Sequence, residues 1–396
     1  MKTVGSDKKL FKYKKPYDIK GSDRLFVDAM RENAVFQYEH CADYRRILDE
    51  AGFDPNSINS FDDLVRLPFI PTLYFKHHRL ESIPPKRRLV KATSSGTSGA
   101  RSNIVFDFHS LKNGLDMVIR VGKYHRLWSL KPVNYIIFGY RPSRQNTTAV
   151  SKTAFGFTFF APALSRTYAL EMCDGGYKLS LDRVLEMLKK CAESKFPMRT
   201  IGFPAYSYFL LKNMKEKGMR LKMPKGSMVT LGGGWKQFYA EKVDKQDFYS
   251  LVYEVLGIEQ ENVIEFFGAV EHPILYTDCK HHHFHIPVYS RVIIRNPDDF
   301  SPVKDGQPGL VNLLTPMVRS MPLFYVPTAK REPRYANVLK MQELSELPRA
   351  EICRGRLSAR LTTGVILCVS TAGLLKASLS EPTGEKLVKE TLNKSR

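Results

Sequence analysis

"RTIGFPAYSYFLLKNMKEKG", Arg199–Gly218, reads as a strand, a glycine–proline loop and a helix that stops at Gly218. Two later stretches repeat the first half of that pattern. "SMVTLGGGWK" (Ser227–Lys236) and "NVIEFFGAVEH" (Asn262–His272) each run a short apolar strand into a glycine turn. Upstream, "VNYIIFGY" (Val133–Tyr140) and "FGFTFFAP" (Phe155–Pro162) read as buried strands. "SLDRVLEMLKKCAES" reads as an amphipathic helix with Ser180 as its N-cap. Strands alternating with helices predict an α/β fold built on a mainly parallel central sheet. Ligands of such sheets sit beyond the carboxyl ends of the strands, where these glycine turns fall.

Working outward, apolar residues recur at helical spacing from Leu25 to Ala51 and predict one or two helices stopped at Gly52. Ser60 in "INSFDDLVRLPFIPT" is placed to cap a short helix that ends before Pro68. Residues 1–22, with the basic run "KKLFKYKK", read as a loosely ordered arm. The formal charge is +21, but the basic residues are scattered, so a nucleic-acid-binding reading rests on net charge alone. The six cysteines (41, 173, 191, 279, 353 and 368) form no CxxC pair, and no apolar leader segment opens the chain. Reduced thiols in a cytosolic protein are the expectation. "TTGVILCVSTAGLL", the longest apolar-leaning run, is too short and too hydroxylated to span a bilayer.

Between two strand-like segments lies "KATSSGTSGARSN", Lys91–Asn103. Glycines let backbone amides approach an anion, and hydroxyls add donors that follow phosphate oxygens. The strand–loop–strand setting and the close Gly96–Gly99 spacing exclude a Walker loop. On composition alone, a Ser/Gly linker fits equally well.

With its companions, the loop resembles a known family. "SSGTSG" is similar to the phosphate loop of the adenylate-forming ligases. The order "FDDLVRLPFIPTLYFK", "SSGTSG", "IGFPAYSYFLL", "LGGGWK", "FFGAVEHPILY", "HHHFHIPVYSRVIIRNP" and "GQPGLVNLLTPMVRSMPL" resembles the acyl-protein synthetases of bacterial bioluminescence operons. Behind them stand the phenylacetate–coenzyme A ligases. The likeness covers most of the chain up to Leu323. It implies an adenylate-forming large domain over residues 23–323 with central, mainly parallel sheets. It also implies ATP and Mg²⁺. Ser94, Ser95, Gly96, Thr97, Ser98 and Gly99 would cradle the β- and γ-phosphates. Phe267 and Gly268 would line the adenine site, and Glu271 would hold Mg²⁺ against the phosphates. Gly232, Gly233 and Gly234 would let backbone approach the nucleotide, with Lys236 free to meet an anionic oxygen. Outside the motif, Glu271 reads as a solvated carboxylate and the three glycines as a tight turn.

The implied reaction is ATP-dependent activation of a carboxylic acid, a fatty acid first, to an acyl adenylate. The acyl group then passes to a protein thiol, with an acyl reductase or another acyl-accepting protein as partner. The alternatives are a coenzyme A ligase of the phenylacetate type and a nucleotide-binding pseudoenzyme. The last arises because the likeness breaks after Leu323. Ala329 and Lys330 stand where relatives carry acids that bind ribose, and the family's Cys-x-Cys-Gly element is not visible. Residues 324–396 therefore read as an abnormal C-terminal portion, divergent or frame-damaged. Cys353 and Cys368 are its candidate acyl acceptors by position, but neither sits in a matching motif, and a buried, inert thiol is the reading favoured for both. Finally, Cys279, His281, His282, His283 and His285 cluster in "TDCKHHHFH". His281, His283 and His285 would share one strand face and could present ligands to zinc, although nothing distant completes the pattern. Imidazoles lining an acyl or nucleotide pocket, or a merely polar strand, are the other readings.

Overall fold

The structure, a computed structural model, describes residues 5–71, 74–93, 102–142, 149–173, 176–304, 307 and 309–326. The hydroxyl-rich loop 94–101, Ala329, Lys330, Cys353 and Cys368 lie outside the described residues. The described residues divide into two compact units. One takes those up to Tyr124, Gly268–Tyr276 and 283–326; the other takes His125–Phe267 with Thr277–His282.

The first unit opens with helices α1 (Ser6–Phe11), α2 (Ile19–His40), α3 (Ala42–Glu50) and α4 (Phe61–Arg66). Ser60 caps α4 through a full capping box with Asp63. Strand β1 (Ile70–Pro71) and helix α5 (Tyr74–His77) follow. Then β2 (Val90–Thr93) and β3 (Asn103–Phe106) pair antiparallel, Val90 opposite Phe106 and Thr93 opposite Asn103. The hydroxyl-rich stretch is thus the connection of a hairpin, as the strand–loop–strand reading predicts. Helix α6 (Phe108–Tyr124) completes the chain's first pass through this unit.

Residues 5–22 are not a loose arm. Leu10 and Phe11 are fully buried, and the Phe11 ring stacks on Tyr289 at 4.8 Å. The lysines around them mask this anchor in the sequence. Asp7 holds α1 to α6, its carboxylate hydrogen-bonded to the His109 ring. Burial would raise the Asp7 pKa, but the hydrogen bond and charge of His109, the Lys8 amide and Arg319 together bring it below the usual carboxylate value. An acid with a depressed folded-state pKa adds stability above its unfolded value, and that stability fades as pH falls through the folded value. The wild-type chain should therefore be more stable than Asp7→Asn at pH 7, with the gap closing below about pH 4. Thermal melts of both proteins from pH 7 to pH 3 check this; a gap independent of pH would contradict it.

The second unit is the α/β core. In chain order it contains β4 (Val133–Tyr140), α7 (Ala149–Phe157), β5 (Ala163–Cys173), β6 (Gly176–Leu179) and α8 (Leu181–Ala192). It continues with β7 (Met198–Gly202), α9 (Pro204–Glu216), β8 (Met228–Gly232), α10 (Lys245–Leu256) and β9 (Val263–Phe267). The strands run in the order β9-β8-β7-β4-β5-β6, parallel except for the antiparallel edge pair β5–β6. Leu181, Val184 and Leu188 of α8, Leu210 and Met214 of α9, and Val252 and Val255 of α10 are buried with the strand residues Ile136 and Val229. Helix α9 begins at Pro204, whose missing N–H costs nothing in the first turn. Ser180 does precede α8, but its hydroxyl makes no capping bond. "FGFTFFAP" is not a strand: Phe155–Phe157 close α7, and the strand starts only at Ala163. A continuous aromatic run has no period to separate helix from strand.

The chain then crosses β10 (Tyr276–Asp278) and returns through β11 (Phe284–His285), β12 (Arg291–Arg295), β13 (Leu310–Leu314) and β14 (Tyr325–Val326). In the first unit β12, β13 and β14 join β1 in a small sheet of order β1-β14-β13-β12, antiparallel except for β1–β14. Amides of Asn33 and Gln37 on α2 donate to the carbonyls of Val318 and Arg319 at 3.1 Å, which fixes the segment after β13. Among the described residues, no helix is long and apolar enough to cross a membrane.

Candidate active site

In the α/β unit, the strand registers bring the glycine turns into one row. Phe138 pairs with Gly202, Gly202 with Leu231, and Gly232 with Phe266. The carboxyl ends of β4, β7, β8 and β9 therefore lie side by side, the edge at which an α/β sheet binds ligands. Gly233 and Gly234 have φ of +88° and +65°. A Cβ on Gly233 would lie 2.4 Å from the Phe203 ring, so a side chain is excluded there on two counts. Phe267 ends β9 and is buried. Lys236 opens the short helical turn Lys236–Glu241, and its side chain lies outside those described.

In the other unit, Glu271 sits in a narrow turn in which Ala269 and His272 exchange backbone hydrogen bonds of 3.3 and 3.2 Å. Gly268 is close-packed there, its missing Cβ 3.2 Å from the Ile274 carbonyl. Glu271 is 2% exposed and is not the solvated carboxylate its bare sequence suggests. Burial raises its pKa, while the Ser102 hydroxyl, its own backbone and the Lys76 charge act in the opposite direction. Its Oε1 has no hydrogen-bond partner among the described residues. An uncompensated buried carboxylate oxygen fits a site that a cation fills. Ser102 itself is fully buried and lies one residue before β3, at the exit of the 94–101 connection. Ser102, whose hydroxyl acts to lower the Glu271 pKa, therefore brings the end of the hydroxyl-rich connection close to "FFGAVE".

Sequence reasoning missed the groups that hold this turn. His272, fully buried, places Nε2 2.8 Å from the Tyr276 hydroxyl and 3.1 Å from the Ser290 hydroxyl. Those hydroxyls are 2.6 Å apart, and Ser290 donates to the Leu314 carbonyl at the end of β13. Burial pushes the His272 pKa down to about 3, so the ring is neutral at physiological pH. No local signal marks this triad, because Ser290 is remote in sequence. Under the ATP-dependent activity that the resemblance implies, His272→Phe should lower kcat/KM for MgATP about tenfold by loosening the Glu271 turn, with His272→Gln restoring part of it. Steady-state kinetics with varied MgATP check this; wild-type values in a folded His272→Phe protein would contradict it.

The histidine cluster does not form a strand face. His281 and His282 lie in a turn, His282 with a left-handed φ of +57°, and only Phe284–His285 are extended. His282 points Nδ1 at Asp278, 3.3 Å away, and its ring stacks on Tyr249. Among the described residues, no group of three His, Cys, Asp or Glu side chains could hold a metal ion.

A sequence model of the LuxE acyl-protein synthetases matches residues 12–330. The chain belongs to that family. Among curated LuxE-like relatives, the long-chain-fatty-acid–luciferin-component ligase of Aliivibrio fischeri is 27% identical over 75% of this chain and 76% of its own. The ligase of the same name from Vibrio harveyi is 24% identical over 74% of each chain. A solved 2-hydroxyisobutyryl-CoA ligase, in complex with 2-HIB-AMP in the postadenylation state, superposes with a TM-score of 0.56 at 14% identity. That superposition covers 79% of this LuxE-family chain and 63% of the ligase, and it shows the adenylate-forming ligase fold.

Proposed function

We propose that this chain activates a long-chain fatty acid with ATP and passes the acyl group to a thiol. The observation that supports this reading is the Glu271 carboxylate, buried near Ser102 at the exit of the hydroxyl-rich connection, with an Oε1 that has no hydrogen-bond partner among the described residues. One oxygen of the fatty carboxylate attacks the α-phosphorus of ATP; the bond to the bridging oxygen breaks, and pyrophosphate leaves. A thiolate then attacks the acyl carbonyl, and AMP leaves. Neither step needs a catalytic triad; positioning and charge neutralisation dominate. In this reading Ser94–Gly99 donate to the β- and γ-phosphates, Gly232–Gly234 admit the nucleotide close to backbone, and Phe267 and Gly268 face adenine. Lys236 meets an anionic oxygen. Glu271 would hold Mg²⁺, which would supply charge neutralisation at the phosphates.

The acceptor is a protein cysteine, Cys353 or Cys368 by position, with an acyl reductase as the downstream partner in the cytoplasm. Cys41 and Cys191 are poor acceptors: both are buried, and burial pushes the Cys191 thiol up to about 11. Incubating the full chain with labelled fatty acid and MgATP, then quenching with hydroxylamine, should give the acyl hydroxamate. Thr97→Ala with Ser98→Ala should weaken ATP binding at least about tenfold and suppress the hydroxamate. Unchanged ATP affinity in the folded double variant would contradict the phosphate-loop assignment. Product that forms only when coenzyme A is supplied would favour the phenylacetate-type alternative.

A further inference from the structure

The amino-end edge of the central sheet, opposite the glycine turns, carries an apolar surface that no step above uses. The chain enters β4 and β5 there, joined by hydrogen bonds from Ser129 N to the Phe160 carbonyl (3.0 Å) and from Val133 N to the Pro162 carbonyl (2.9 Å). Leu130 stands at the tip of the entering turn and is 96% exposed. Phe159, Leu164 and Trp128 are 59%, 51% and 40% exposed. Two of these side chains make ring contacts: Trp128 packs edge-on against Phe160 at 5.0 Å, and Phe159 against Phe155 at 5.1 Å. The Arg166 guanidinium lies over both Phe155 and Phe159, 5.7 and 5.9 Å from their centroids.

The charge flanking this patch is mostly positive. Arg126 and Lys131 stand before β4 and Arg166 lies over the Phe155 and Phe159 rings, while residues 125–170 contain no Asp or Glu. Arg126 and Lys131 are exposed on either side of Trp128 and Leu130. The loop entering β7 adds Lys195 together with a single acid, Glu193. Exposed Trp, Phe and Leu side chains rimmed by Lys and Arg are the composition of a surface that rests on a bilayer: rings at headgroup depth, cations on anionic lipid. A protruding leucine on a turn inserts between acyl chains without a matching pocket, whereas a protein partner would have to supply one.

We propose that this edge docks on an anionic phospholipid surface, with Trp128, Leu130, Phe159 and Leu164 entering the headgroup layer and Arg126 and Lys131 pairing with lipid phosphates. The proposal does not depend on the ligase reading, because binding is measured without ATP or fatty acid. The chain has two tryptophans, and Trp235 is buried, so Trp128 reports directly. The probe is a vesicle of phosphatidylglycerol and phosphatidylcholine, about one to two. Full-length protein should sediment with these vesicles and shift its tryptophan emission to the blue. Added salt should release it, and pure phosphatidylcholine vesicles should not bind it. Leu130→Glu with Phe159→Glu should weaken binding more than about tenfold, and Arg126→Glu with Lys131→Glu by a similar factor. All four residues or their side-chain ends are at the surface, so two independent variant pairs guard against misfolding.

Absence of binding, or binding indifferent to both pairs, would overturn the proposal. Equal binding to neutral vesicles would overturn its charge component. A concentration-dependent dimer without lipid, abolished by the same pairs, would assign the surface to a second copy instead.

Discussion

Glu271→Gln is expected to lower turnover at least about a hundredfold while leaving the fold slightly more stable than wild type. The two effects have one origin. A carboxylate 2% exposed, with an oxygen that finds no partner among the described residues and a pKa raised by burial, is a cost to the folded apoprotein. Sign follows from linkage: a carboxyl whose folded-state pKa lies above its unfolded value opposes folding once pH exceeds the unfolded value. The neutral amide keeps the size and the Ser102 contact but removes that penalty, so the melting temperature should rise. Turnover falls because the charge that serves phosphate in the transition state is gone, and more fatty acid should not restore it. Steady-state kinetics and thermal melts in parallel check both. A melting temperature that falls while activity persists would mean that Glu271 is structural.

The largest stability effect is expected at Gly202→Ala. Gly202 has φ of +147°, and a Cβ there would lie 2.2 Å from the Phe138 carbonyl oxygen on the neighbouring strand. Backbone cannot yield there without disturbing the β4–β7 register, so the loss should be about 3 kcal/mol, roughly 6–12 °C in melting temperature. Gly218→Ala is the control. Its φ of +69° is left-handed too, but nothing lies within 4 Å of a Cβ, so only about 1 kcal/mol is expected. Equal losses at the two sites would show that backbone strain alone, and not close approach of β4, makes Gly202 necessary.

Those glycines also show what the sequence revealed well. Strand–turn–helix units such as Arg199–Gly218 announce themselves because a period change and a glycine coincide, and their registers then align the carboxyl-end turns. Other features had no local signal. Leu10 and Phe11 are adjacent residues in a lysine-rich run, and their burial depends on Tyr289, far away in sequence. The passage between the two units at Phe267/Gly268 falls inside a motif, not in a linker, so composition could not mark it. The histidine alternation fails at one residue, His282, whose left-handed backbone turns the chain before a strand can form. For the site, the motif named Glu271 but not its burial, and the His272–Tyr276–Ser290 triad required the return of β12 and β13.

This chain is expected to adenylate a carboxylic acid as it stands, with Ala329 and Lys330 in its C-terminal portion. Fatty-acid-dependent exchange of labelled pyrophosphate into ATP measures that step alone, without any acyl acceptor. The full-length chain should catalyse exchange that requires both a long-chain fatty acid and Mg²⁺ and is lost in Glu271→Gln. ATP binding of ordinary affinity with no exchange at any fatty acid concentration would contradict the account and identify a nucleotide-binding pseudoenzyme.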